Sequence, residues 1–121
     1  MKDIQIFEKV KTHLLAQNLK SVDADGACVY RGAYGMMCAV GCLIKDEFYS
    51  SKIEGNAASS AKVHFALTQS IGDFSDNADI MLSNLQGIHD EKQPEDWEDY
   101  LNTFKFNAEG EYIIHSYTGR L

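Results

Sequence analysis

Cys28-Val29-Tyr30-Arg31-Gly32-Ala33-Tyr34-Gly35-Met36-Met37-Cys38-Ala39-Val40-Gly41-Cys42-Leu43-Ile44-Lys45-Asp46 is the stretch on which the fold class turns. Val29 and Tyr30 favour extended backbone, so Ala27–Arg31 reads as a short strand and Gly32–Gly35 as a hairpin turn. Met36–Ile44 is apolar throughout, and in so short a run periodicity does not separate a returning strand from a short buried helix. The reading adopted is a brief return strand that passes into a helical turn at Gly41–Glu47. It makes the protein α+β.

Outward from this segment the chain reads as helix. Ile4, Phe7, Val10, Leu14 and Leu15 recur at three- and four-residue steps, which predicts an amphipathic helix over 3–18 stopped by Asn18. Asp23-Ala24-Asp25-Gly26 is turn chemistry. It lacks the later ligands and closing glutamate of a calcium loop. Val63, Ala66, Leu67 and Ile71 give a helix over 57–71 ended by Gly72. Met81, Leu82, Leu85 and Ile88 give another over 77–89, with Asp76 or Asn77 as its N-cap. Pro94 followed by Glu95 and Asp96 is a helix start, and Trp97, Leu101 and Phe104 form that helix's buried stripe. Asn107–Gly110 breaks it, and Glu111–Tyr117 alternates as a strand. The expected architecture is α+β: a mainly helical single domain, residues 1–121, with a small antiparallel β-hairpin around 27–40.

Composition supports a packed core: 45% of residues are hydrophobic, and six Phe, six Tyr and one Trp are present. At 121 residues the chain buries about two-thirds of its unfolded surface, so it needs neither a metal nor disulfides to fold. Three cysteines are an odd number, which suits a reducing compartment. The run Met36–Ile44 is too short to span a bilayer, and Met1-Lys2-Asp3-Ile4-Gln5 is not a signal peptide. A cytoplasmic protein is expected.

The net charge of −7 is unevenly spread. Residues 1–60 hold seven Lys/Arg against seven Asp/Glu, and residues 61–121 hold four against eleven. The excess is densest at Asp90-Glu91 and Glu95-Asp96-Trp97-Glu98-Asp99. An exposed acidic helix keeps a protein soluble and also steers it toward a basic partner, including one that normally binds nucleic acid. Direct nucleic-acid binding is disfavoured, because no basic cluster is available to neutralise phosphates.

Three constellations could carry chemistry. Cys28, Cys38 and Cys42 with His89 make a Cys3His set for zinc, although only Cys38 and Cys42 approach the knuckle spacing of structural zinc sites. Buried apolar thiols account for the same residues. Cys38 or Cys42 paired with His64, His89 or His115 would be a thiol nucleophile, but no cysteine-hydrolase signature is present. Tyr30 and Arg31 beside the turn would contact a small-molecule or nucleotide ligand, or Arg31 pairs internally with Asp46 or Glu54, the favoured reading. His89, at the end of a helical face, reads as a dipole cap, and His13 and His64 as helix-face residues. No P-loop and no GxGxxG is present.

Cys28-x-Tyr30-Arg31-Gly32-x-x-Gly35-x-x-Cys38-Ala39-Val40-Gly41-x-Leu43-Ile44-x-Asp46, with Tyr49, Glu54-Gly55, Leu85-Gln86-x-x-His89-Asp90 and Trp97, resembles a family of small uncharacterised proteins of tailed bacteriophages and prophages. The resemblance covers roughly residues 4–104. Lys45 stands where a proline is expected, and Glu111–Leu121 is particular to this chain. The resemblance implies a non-enzymatic accessory protein in the host cytoplasm that binds and inhibits a host protein such as a defence nuclease. The acidic residues Glu95, Asp96, Glu98 and Asp99 would contact that partner by mimicking phosphates, with no cofactor and no membrane. Two other classes remain open: a nucleotide-signal binding module using Tyr30 and Arg31, and a zinc- or cysteine-dependent enzyme. An exposed C-terminal strand would also offer an edge for a homodimer.

Overall fold

Helix α1 runs Asp3–Gln17. Gln5 Oε1 accepts from the Lys2 N–H at its start, and Asn18 closes it in the left-handed region (φ 52°), its N–H donating to the Leu14 carbonyl. The computed structural model describes residues 1–115. Three further helices follow: α2 (Ala61–Ile71), α3 (Asp76–Glu91) and the short α4 (Trp97–Leu101). Ser60 and Ser75 cap α2 and α3 by accepting from the Val63 and Ala78 N–H groups. The cap of α3 is therefore Ser75 and neither of the expected Asp76 or Asn77. Asp76 itself sits in the first turn, where its charge favours the positive end of the dipole.

One apolar core joins these helices. Ile6, Phe7, Val10 and Leu14 of α1 meet Val63, Ala66 and Leu67 of α2, Met81, Leu82, Leu85 and Ile88 of α3, and Trp97 and Leu101 of α4. Phe7 stacks on Phe104 with ring centroids 5.1 Å apart. Most of the predicted stripe residues are buried, while Ile4, Leu15 and Ile71 are only partly so and Ile6, outside the expected α1 stripe, is fully buried. The expected helix is shorter at both ends: Pro94–Asp96 form a 3-10 turn, and α4 stops at Leu101, so Phe104 is buried from the turn after it.

The two-stranded antiparallel sheet is made of β1 (Lys105–Phe106) and β2 (Tyr112–Ile113), in register Phe106 to Tyr112. Asn107 builds the turn between them, its Oδ1 accepting from the Glu109 and Glu111 N–H groups. Against the sequence expectation, the hairpin at 27–40 is reduced to a single bridge, Arg31 to Met37, around the turn Ala33–Gly35. The reason is competition for donors: the N–H groups of Tyr30 and Arg31 go to the Glu54 carboxylate instead of a ladder. The Met37 backbone is likewise taken by α1, bonded to both Gln17 and His13. Met36–Ile44 does turn helical as expected, in a 3-10 turn at Gly41–Leu43. The strand expected over 111–117 is β2 alone among the described residues, and its positions 116 and 117 lie outside them.

The N-terminal turn of α1 docks on β2. Tyr112 N–H donates to Asp3 Oδ2 (2.9 Å), Ser75 Oγ donates to the same carboxylate, and Ile4 N–H donates to the Gly110 carbonyl (3.0 Å). Asn77 Nδ2 donates to the Tyr112 carbonyl, so at Tyr112 the strand's main chain is already partnered by side chains. No helix among the described residues is long and apolar enough to cross a membrane.

Candidate functional site

Residues 18–60 contain no α-helix or strand, and polar side chains hold them in place. Glu54 is the central acceptor. Its Oε1 takes the Tyr30 N–H (2.8 Å), and its Oε2 takes the Arg31 N–H (3.1 Å) and the Tyr49 hydroxyl (2.7 Å). Arg31 is spent internally: it donates to Asp46 Oδ1 (2.7 Å) and to the Ile44 carbonyl (2.5 Å), and its guanidinium lies 4.8 Å from the Tyr49 ring centroid. Both sequence-expected partners of Arg31 are thus used, Asp46 by the side chain and Glu54 by the backbone. Tyr30 is buried, and its hydroxyl donates to the Asn56 carbonyl. Burial, with Cys38, Asp90 and Glu54 nearby, pushes the Tyr30 phenol well above its ordinary value.

A second set of bonds ties this segment to α3. Gln86 accepts the Val40 N–H and donates to Asp90 Oδ1 (2.8 Å). His89, fully buried, accepts the Ser21 N–H at Nε2 (2.9 Å) and faces Asp90 Oδ1 with Nδ1 (2.8 Å). A backbone N–H only donates, so Nε2 carries the lone pair and Nδ1 the proton. Trp97 stacks beside the imidazole, ring centroids 5.5 Å apart. His89 is therefore a buried tie between α3 and the segment before the turn, beyond the dipole cap read from sequence. Burial alone would raise the Asp90 pKa. Hydrogen bonds from His89 and Gln86 more than offset it and hold the carboxyl below its usual range.

Between these two sets lies a cleft of about 280 Å³ bordered by Cys28, Tyr30, Glu54, Asn56, Gln86 and Asp90. Tyr30 lines it, but Arg31 points to Asp46 and Ile44 on the other side of the chain. Among the described residues no Lys or Arg borders the cleft, so a nucleotide phosphate would find the Glu54 and Asp90 carboxylates there instead of a cation.

The structure separates the cysteines. Among the described residues, the cluster of three metal-capable side chains is Cys28, His89 and Asp90, with ligand atoms within 4.8 Å of one another. Cys38 is buried, its Sγ accepting the Gly41 N–H, and Cys42 Sγ donates to the Ala39 carbonyl. The residues present do not fit zinc. Neutral imidazole offers one lone pair, and His89 gives its own to Ser21, leaving Nδ1 protonated against Asp90.

The thiols are equally poor nucleophiles. Burial pushes Cys38 and Cys42 up to about 12. Cys28 is raised by burial and then by the Asp90 charge, which also takes its hydrogen bond. The other imidazoles are placed elsewhere: His64 packs on Phe74, and His115 sits between the Tyr112 and Thr103 hydroxyls.

Glu95 and Asp96 stand on the Pro94–Asp96 turn and Glu98 and Asp99 on α4, all four exposed. Their base is fixed by fully buried Trp97 and Leu101, and Trp97 Nε1 donates to the Lys92 carbonyl. Among the described residues, the close acid–base contacts are the Arg31–Asp46 ion pair and the His89–Asp90 hydrogen bond, so none involves these four carboxylates. Sequence reasoning missed the role of Ser21, whose N–H anchors His89 and which carries no motif signal. Gln86 and Glu54 stood in the quoted pattern, but their acceptor roles depend on contacts more than twenty residues apart. Comparison with protein-family models, with characterised proteins and with solved structures gave no match.

Proposed function

We propose that this protein acts by binding, and that Glu95, Asp96, Glu98 and Asp99 dock it on a basic surface of a partner protein. One observation carries the reading: four exposed carboxylates within five residues, without an ion pair among the described residues, on a backbone held by buried Trp97 and Leu101. A preorganised acidic face of this kind meets a basic groove with little ordering cost, as a phosphate backbone would. The partner the phage resemblance suggests is a host protein that handles nucleic acid, a defence nuclease for example. The cleft chemistry supports binding over catalysis, since its thiol is held protonated beside Asp90 and its imidazole has both nitrogens occupied.

The test is capture from host lysate with immobilised wild type and the E95K/D96K/E98K/D99K variant, read by quantitative mass spectrometry. A basic partner should be retained by the wild type, eluted by raising salt from about 0.1 M to about 0.5 M, and lost from the variant. A partner held equally by both proteins would sink the reading.

A further inference from the structure

Helix α2 carries Phe65 on its outer side, 65% exposed, outside the stripe of Val63, Ala66 and Leu67 that enters the core. Beside it, Phe48 and Ile53 of the preceding 3-10 turns complete an apolar groove of about 480 Å³. Among the described residues, the only charged groups along it are Lys52 and Lys62, and the Ser50 hydroxyl opens onto it. Neither lysine forms an ion pair among the described residues. In a chain with eighteen Asp and Glu residues, a groove edged by two cations and, among the described residues, no carboxylate runs against the overall charge. The positive end of the eleven-residue α2 dipole lies at the same edge, since Ala61 and Lys62 both border the groove.

The geometry points to a small carboxylate with an apolar body as the occupant, its chain or ring on Phe48, Ile53 and Phe65 and its anionic head on Lys52 and Lys62. The volume falls in the range of small-molecule sites, and an apolar lining with a few placed polar groups is their usual chemistry. Charge complementarity selects an anion over a neutral or cationic amphiphile.

The experiment is an NMR titration of the full chain with sodium decanoate, with decanol as the neutral probe of equal length. Saturable shifts should appear at Ile53, Lys62 and Phe65, with decanol weaker by about fivefold or more. The K52Q/K62Q variant should weaken decanoate by about five- to tenfold while leaving decanol unchanged, a size set by two exposed charge contacts. Phe65→Ser, at an exposed position that the core does not need, should weaken both probes. Equal affinity for decanoate and decanol, unchanged decanoate affinity in K52Q/K62Q, or no saturable binding up to about 1 mM would each overturn the assignment.

Discussion

The helical frame and the segment 18–60 are held together by different means. In the frame, Leu85, Leu67 and Leu14 are fully buried, and the helices satisfy their own backbone. In the segment, single turns bond only part of the backbone, and side chains take other N–H and C=O groups: Glu54 from within it, and Gln86, His89, Gln17 and His13 from the helices. Apolar burial adds up over many weak contacts and degrades gradually when one is lost. A side-chain acceptor serving several donors fails as a unit, because each orphaned group bears a desolvation cost. An irregular chain can therefore be as rigid as a helix, but its rigidity rests on a few residues.

The sharpest challenge to this contrast is Gly41→Ala. A Cβ there would run into the Tyr30 carbonyl, a backbone atom that cannot step aside. Adding one methyl to the segment should cost about 3 kcal/mol or more, as much as deleting most of a side chain from the frame by Leu85→Ala, about 2–5 kcal/mol. Urea midpoints of the two variants measure this, and a near-neutral Gly41→Ala would show that the segment yields.

Glu54→Ala comes next, at about 2 kcal/mol, and it should act locally. Hydrogen exchange is expected to quicken across residues 22–56 while the amides of α1 and α3 keep their protection. Uniform loss of protection would mean that segment and frame unfold together.

The smallest effect is the one tuned by pH. Asp90 has its carboxyl held below the ordinary range, so its contribution is present above the unfolded pKa of about 4 and disappears as pH falls through the lower folded value. Asp90→Asn should be less stable than wild type near pH 6, and the gap should narrow toward about pH 3. A gap independent of pH would show that the carboxylate charge does not hold His89 and Gln86.

The two halves also differed in how legible they were. Stripes such as Val63, Ala66, Leu67 and Met81, Leu82, Leu85 follow from local spacing, and a helix needs little more. The Asn18 stop and the Asp23–Gly26 turn are also local chemistry, and both stand as read. The expected 27–40 hairpin shrank to one bridge because its donors are claimed by Glu54, twenty-three and twenty-four residues away. Strands β1 and β2 have two residues each, too few for alternation to show. At the site, the Arg31–Asp46 pairing was readable from charge and proximity. The tautomer that rules His89 out as a ligand depends on Ser21, sixty-eight residues away.

The docking of Asp3 on Tyr112 sets a timetable for biosynthesis. The two residues are separated by 109 positions, and at about 5–20 residues per second the ribosome needs roughly 5–20 s to make the chain between them. Throughout that interval the first helix exists without the strand that clamps its start, and Ile6, Phe7, Val10 and Leu14 have only part of their eventual cover. Folding of this protein cannot be finished early from its leading end, and the nascent chain spends those seconds as a substrate for whatever binds exposed apolar helices in the cell.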